Sequence, residues 1–82
     1  MEESRVSVIS IIIKDDDSVT EVNEILHDYR DYMVGRMGIP YRTRGISIIS
    51  VVVDAPQAVT EEITGKLGSV KGVSIETLTA NL

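Results

Sequence analysis

The sequence has no cysteine, phenylalanine or tryptophan, and it has one histidine. The missing thiols remove disulfides, thiolate metal sites and cysteine nucleophiles together, and they agree with a reducing compartment. His27, alone between Leu26 and Asp28, leaves no histidine cluster for zinc or nickel within one chain. It reads as a solvated helix residue. Basic residues are scarce: eight Lys and Arg against thirteen Asp and Glu, a net charge of −5. Phosphate affinity needs a basic surface, so direct nucleic-acid binding is not expected. The longest nearly apolar run, Val6 to Ile13, is far too short to span a bilayer. The first residues, Met-Glu-Glu-Ser-Arg, are acidic where a signal peptide would be basic. A soluble, cytoplasmic chain without membrane contact is expected.

What is present points to a small β-rich core. Of 82 residues, 43% are hydrophobic, too many for a disordered chain. One domain over residues 1–82 is expected, with a core modest enough to gain from oligomerisation. The apolar residues are mostly Ile and Val, which favour strands.

An internal repeat organises the chain. Shifted by 40 residues, VSVISIIIKDDDSVTE (Val6 to Glu21) lies over ISIISVVVDAPQAVTE (Ile46 to Glu61) without a gap. Ser7/Ser47, Ile9/Ile49, Ser10/Ser50, Val19/Val59, Thr20/Thr60 and Glu21/Glu61 are identical. Any two Ile/Val strands look alike, but the matching Val-Thr-Glu after a matching spacer needs more than composition. Each half opens with a strand, over residues 6–13 and 46–53. Ser18-Val-Thr-Glu21 then has the capping-box pattern. Val19, Val22, Leu26, Tyr29 and Met33 follow at helical spacing. In the second half Asp54 and Pro56 signal a helix start, Val59, Ile63 and Leu67 form the stripe, and Gly68 is a natural stop. A second strand closes each half: MVGRM (Met33 to Met37) and VSIETLT (Val73 to Thr79). The order predicts an α+β, ferredoxin-like βαββαβ fold, with a four-stranded antiparallel sheet and both helices on one face.

Two helices cover only one side of such a sheet. Yet Ile11-Ile12-Ile13 and Val51-Val52-Val53 are consecutive, so some of these side chains must point to the bare side. Monomers rarely keep such a patch. A homodimer or homotetramer through the sheet face is expected; burial of strand ends by loops is the alternative.

Candidate sites are few. Asp15-Asp16-Asp17 lacks the spacing of a calcium loop and suits the solvated start of a helix. No G-x-S-x-G nucleophile motif occurs, and no cofactor is expected. The segment VGRMGIPYRTRG (Val34 to Gly45) stands apart, being rich in glycine and arginine in an acidic chain. Gly35 inside a strand suggests a bulge. Gly38 and Gly45 permit positive φ at the ends of the connection, and Pro40 stiffens it. Gly35, Arg36, Gly38, Tyr41, Arg42 and Arg44 are the candidate site. They form either a pocket for a small anionic ligand, whose arginine forks suit carboxylate or phosphate, or an interface that pairs arginines with acids of a neighbouring subunit.

VGRMGIPYRTRGISIISVVVDA and TGKLGSVKGVSIETL carry a resemblance. Through essentially the whole chain the sequence resembles the small family of regulators of iron-only hydrogenase systems, which is similar in turn to ACT-like and nickel-responsive-regulator C-terminal domains. The resemblance implies a βαββαβ regulatory domain that assembles through its sheet and senses a ligand or a partner protein. The nickel ligands do not carry over, since they are histidines and a cysteine. The amino-acid site implied by ACT domains needs a glycine in the turn after strand 1, which here is Lys14-Asp-Asp-Asp-Ser18. The expectation is a non-enzymatic, ACT-like regulatory domain with a small anionic ligand; a purely structural interaction module is the alternative.

Overall fold

A computed structural model describes residues 3–80. The elements are β1 (Ser4–Ile13), α1 (Val19–Asp28), β2 (Met33–Tyr41), β3 (Ile46–Pro56), α2 (Gln57–Gly68) and β4 (Val73–Thr79). The strands form one antiparallel sheet in the order β2-β3-β1-β4. This is the expected ferredoxin-like arrangement.

The repeat sets the centre of the sheet. β1 pairs with β3 over its whole length, with Ser10 opposite Ser50. These two serines are also equivalent positions of the 40-residue repeat. An internal pseudo-two-fold axis therefore passes between them, normal to the sheet. Alternation assigns the faces on either side. Ile9, Ile11 and Ile13 of β1 and Ile49, Val51 and Val53 of β3 are buried against Val22 and Leu26 of α1 and Ile63 and Leu67 of α2. Each such side chain contributes about 1.5–3 kcal/mol on burial. One polar pair lies on this side: Ser7 Oγ and Thr79 Oγ1, 2.9 Å apart, satisfy each other between β1 and β4.

Local signals and structure differ at several places. Ser18 does not close a capping box, because a 3-10 turn over Asp16–Ser18 already brings it in with helical φ and ψ. Its hydroxyl instead donates to the Lys71 carbonyl at 2.7 Å, and the Asp15 carboxylate accepts from the Asp17 amide. α1 stops at Asp28, so Met33 reaches the core from β2 rather than from the helix. Asp54 is a strand residue, paired with Val6; the helix begins after Pro56. β2 continues four residues past Met37, and Pro40 fits within it because an edge strand can leave one amide position unbonded. Gly38 keeps an ordinary φ, whereas Gly45 is left-handed at +66°. The bulge expected near Gly35 is present, as a register shift between Met33 and Gly35.

The turns before α1 and before β4 are locked together. The Lys14 amide donates to Gly72 O at 2.8 Å, beside the Ser18–Lys71 bond. Gly72 has φ +72°, and a Cβ there would lie 2.9 Å from Asp15 Cβ and 3.3 Å from its nitrogen. Both the left-handed backbone and the contact demand glycine. Gly72→Ala is expected to lower unfolding stability by about 1–3 kcal/mol, read from denaturant midpoints at fixed protein concentration. Thr60 shows the opposite case: it is buried on α2 and its hydroxyl has no hydrogen-bond partner. Thr60→Val removes that desolvated oxygen at nearly constant volume and should raise stability by about 1 kcal/mol in the same assay.

Candidate functional site

The side of the sheet away from the helices carries two largely apolar rows separated by a more polar one. The strand register defines them. Gly35, Val52, Val8 and Leu78 form one row. Met37, Ser50, Ser10 and Glu76 form the middle row. Ile39, Ile48, Ile12 and Ser74 form the third, with Tyr41 and Ile46 beyond it. Leu78 is 73% exposed, Met37 57%, Tyr41 46%, Ile39 45% and Ile12 40%. These are five of the seven large hydrophobic side chains exposed among the described residues. The consecutive Ile and Val residues of β1 and β3 foreshadow this face. Met37, Ile39 and Leu78 escape sequence reasoning, because glycine and proline in β2 hide its alternation and β4 has no apolar run.

The six candidate residues do not converge on one pocket. Gly35 and Tyr41 lie on the bare side of β2, whereas Arg36 and Gly38 lie on the helix side. Arg36 Nη2 donates to Asn23 Oδ1 of α1 at 2.7 Å, tying the edge strand to the helix. Arg42 and Arg44 belong to a 3-10 turn that links β2 to β3 and ends at Gly45, whose amide donates to Arg42 O at 3.0 Å. A surface hollow of about 360 Å³ adjoins this turn, lined by Asp16, Pro40, Arg42, Gly45, Ile46 and Ser47. Arg42 is the one arginine lining that hollow, and the Asp16 carboxylate shares it.

Little else carries the marks of a reactive site. His27 is exposed on α1. Among the described residues no group of three His, Cys, Asp or Glu side chains could hold a metal ion, and no helix is long and apolar enough to cross a membrane. A hydrogen bond to Tyr29 and electrostatic interaction with it hold the Lys66 ammonium above the usual lysine range. The Lys66 nitrogen lies 5.0 Å from the centre of the Tyr29 ring. This contact joins the C-terminal ends of the two helices, on the layer opposite the bare face.

A family model described as "Iron-only hydrogenase system regulator, putative" matches residues 5–77. The chain belongs to this TM1266-like family. The match takes in both helices and reaches into all four strands, so the arginine turn and the bare face up to Thr77 of β4 lie inside the family domain. Among solved structures, the uncharacterized protein TM1266 from Thermotoga maritima superposes with a TM-score of 0.92 at 28% identity, over 96% of this chain and 100% of that one. Two others share the fold alone. A formyltetrahydrofolate deformylase from Pseudomonas putida has a TM-score of 0.68 at 14% identity, over 94% of this chain and 29% of that one. An unknown protein from Galdieria sulphuraria has 0.64 at 15%, over 98% and 47%. In both, the unit occupies less than half of a longer chain. No curated protein matches the sequence.

Proposed function

We propose that this member of the hydrogenase-regulator family is a non-enzymatic regulatory module, ACT-like in fold, that works by self-association through its bare sheet face. One observation supports this reading above the others: apolar side chains flank the Ser10–Ser50 row on both sides of the bare face, with Leu78 73% and Met37 57% exposed. Each large side chain left in water forgoes about 1.5–3 kcal/mol of burial. A second copy of the same surface removes that penalty. The net charge of −5 favours control through a protein partner over direct contact with DNA.

A second reading rests on the hollow beside Arg42. A small anion could neutralise that guanidinium, with Arg44 on the same short turn. The Asp16 carboxylate opposes it, so the hollow ranks below the sheet face.

Sedimentation or light scattering at micromolar concentration should show a homodimer or homotetramer. Ile12→Asp, a charge on the outward side of a central strand, should give a monomer with native circular dichroism. A wild-type chain that stays monomeric overturns the self-association reading. For the anion, inorganic phosphate at 100 times its dissociation constant should stabilise the protein by about 2.7 kcal/mol, and Arg42→Ala should remove the shift without changing assembly. No shift at tens of millimolar phosphate eliminates a phosphate site there.

A further inference from the structure

The two edges of the sheet are not alike. In an antiparallel strand the amide and carbonyl of every second residue face one neighbour, and those of the residues between face the other way. The Ala80 amide donates to Val6 O and the Lys14 amide to Gly72 O, both at 2.8 Å and both in the register that pairs Ser10 with Glu76. Even-numbered residues of β4 therefore bond to β1. Ile75, Thr77 and Thr79 turn their amides and carbonyls to the open edge, where no backbone bond meets them among the described residues. The Val73 amide is already used, on Val70 O at 3.3 Å.

β2, at the other edge, is closed to a newcomer. Carried across the sheet, the same alternation leaves Arg36, Gly38 and Pro40 facing outward. Pro40 has no amide to offer, and the bulge between Met33 and Gly35 breaks the ladder at its other end. β4 contains neither proline nor glycine and keeps one regular register. Thr77 is exposed although its side chain lies on the helix side, so α2 does not roof the middle of this edge.

We infer that the β4 edge is a docking site for an extended, basic segment of another protein. The segment adds to the sheet as a further strand, with a lysine or arginine opposite Glu76. This inference stands on the edge of the sheet and does not depend on the sheet-face reading above.

Charge names the occupant. Glu76 is exposed at the centre of β4, between Ile75 and Thr77. An antiparallel strand bonded to those two meets Glu76 at a non-hydrogen-bonded position, where opposing Cα atoms come within about 4.5 Å and side chains are closest. A second copy of β4 that uses the whole ladder pairs Ile75 with Thr77 across a two-fold and sets Glu76 against Glu76. Like charges directly opposite destabilise a strand pair. The net charge of −5 on each copy adds to the repulsion. Slipping the pair by two residues separates the carboxylates only by giving up part of the ladder. A cationic side chain at that position is the complement. The acidic edge thus refuses self-addition, the usual hazard of a bare edge, and accepts a basic strand. Main-chain bonds supply the affinity and the Glu76 pair the selection.

The probe is a fluorophore-labelled peptide as long as β4, of alternating valine and threonine with lysine at its centre, acetylated and amidated at its ends. Fluorescence anisotropy should show saturable binding to the wild-type chain at micromolar concentration. The amide resonances of Ile75, Thr77 and Thr79 should shift and gain protection from exchange. Glu76→Gln should weaken binding about fivefold, and Glu76→Lys more. A peptide with glutamate in place of its lysine should bind the Glu76→Lys chain best. A peptide N-methylated at the amides that meet β4 should not bind. Absence of binding at millimolar peptide, equal binding of the methylated peptide, or shifts confined to the bare face overturns the edge site. Unchanged affinity in Glu76→Gln overturns the choice of a basic partner. Exchange protection of Ile75, Thr77 and Thr79 in the chain alone assigns the edge to a second copy and overturns it too. Light scattering on the wild-type chain decides the sheet-face reading separately, since peptide binding is read equally from a monomer or a dimer.

Discussion

The pairing of β1 with β3 is the constraint on which the molecule depends. It is the longest ladder in the sheet, it joins the two halves of the repeat, and it is centred on Ser10 and Ser50. Once those serines face each other, odd-numbered residues of both strands turn towards the helices and even-numbered ones turn away. A slip of one residue would exchange the faces, placing Ile9, Ile11 and Val51 in water and bringing Ser10 and Ser50 under the helices. The buried set is larger and more apolar, so the register is strongly specified. The bare face is a consequence: apart from Ser10, Ser50 and Asp54, the outward residues of both central strands are β-branched and apolar.

The helices and turns act on that frame in different ways. α1 and α2 cover the inner side with Val22, Leu26, Ile63 and Leu67. The lock between the turns fixes where α1 begins: Ser18 uses its hydroxyl on the Lys71 carbonyl, and Gly72 gives Asp15 the space it occupies. A residue that looks like an ordinary helix cap thus serves a contact with a segment more than fifty residues away. β2 is the less protected layer. It sits at an edge, contains a bulge, two glycines and a proline, and is tied to α1 by Arg36 and Asn23. Pro40 and the bulge also discourage further strands from adding at that edge.

These features explain a basic, turn-rich segment in an acidic domain. Most of it is strand, and its side chains divide between the two faces. Arg36 works within the subunit, Arg42 lines a hollow that also contains an acid, and Arg44 stands on the turn at one end of the bare face. The chain belongs to a family described as a hydrogenase-system regulator, and its sheet leaves a largely apolar surface on the side away from the helices, with Lys14 and Asp54 at its ends and Glu76 within it.

The element order, the fold class and the existence of an apolar outer face were legible in the chain itself. Periodicity and the 40-residue repeat are local, covalent facts that survive without a structure. The length of β2, the diversion of Ser18, the need for glycine at position 72 and the separation of Arg36 from Tyr41 were decided only by tertiary structure. Each depends on which backbone lies opposite: an edge that tolerates Pro40, a carbonyl that competes for a hydroxyl, a turn that crowds a missing Cβ, a regular pairing from Gly35 to Tyr41 that puts odd- and even-numbered residues of β2 on opposite sides. Spacing along a chain records the local preferences of each segment, and such choices are made by the partner that folding brings against it.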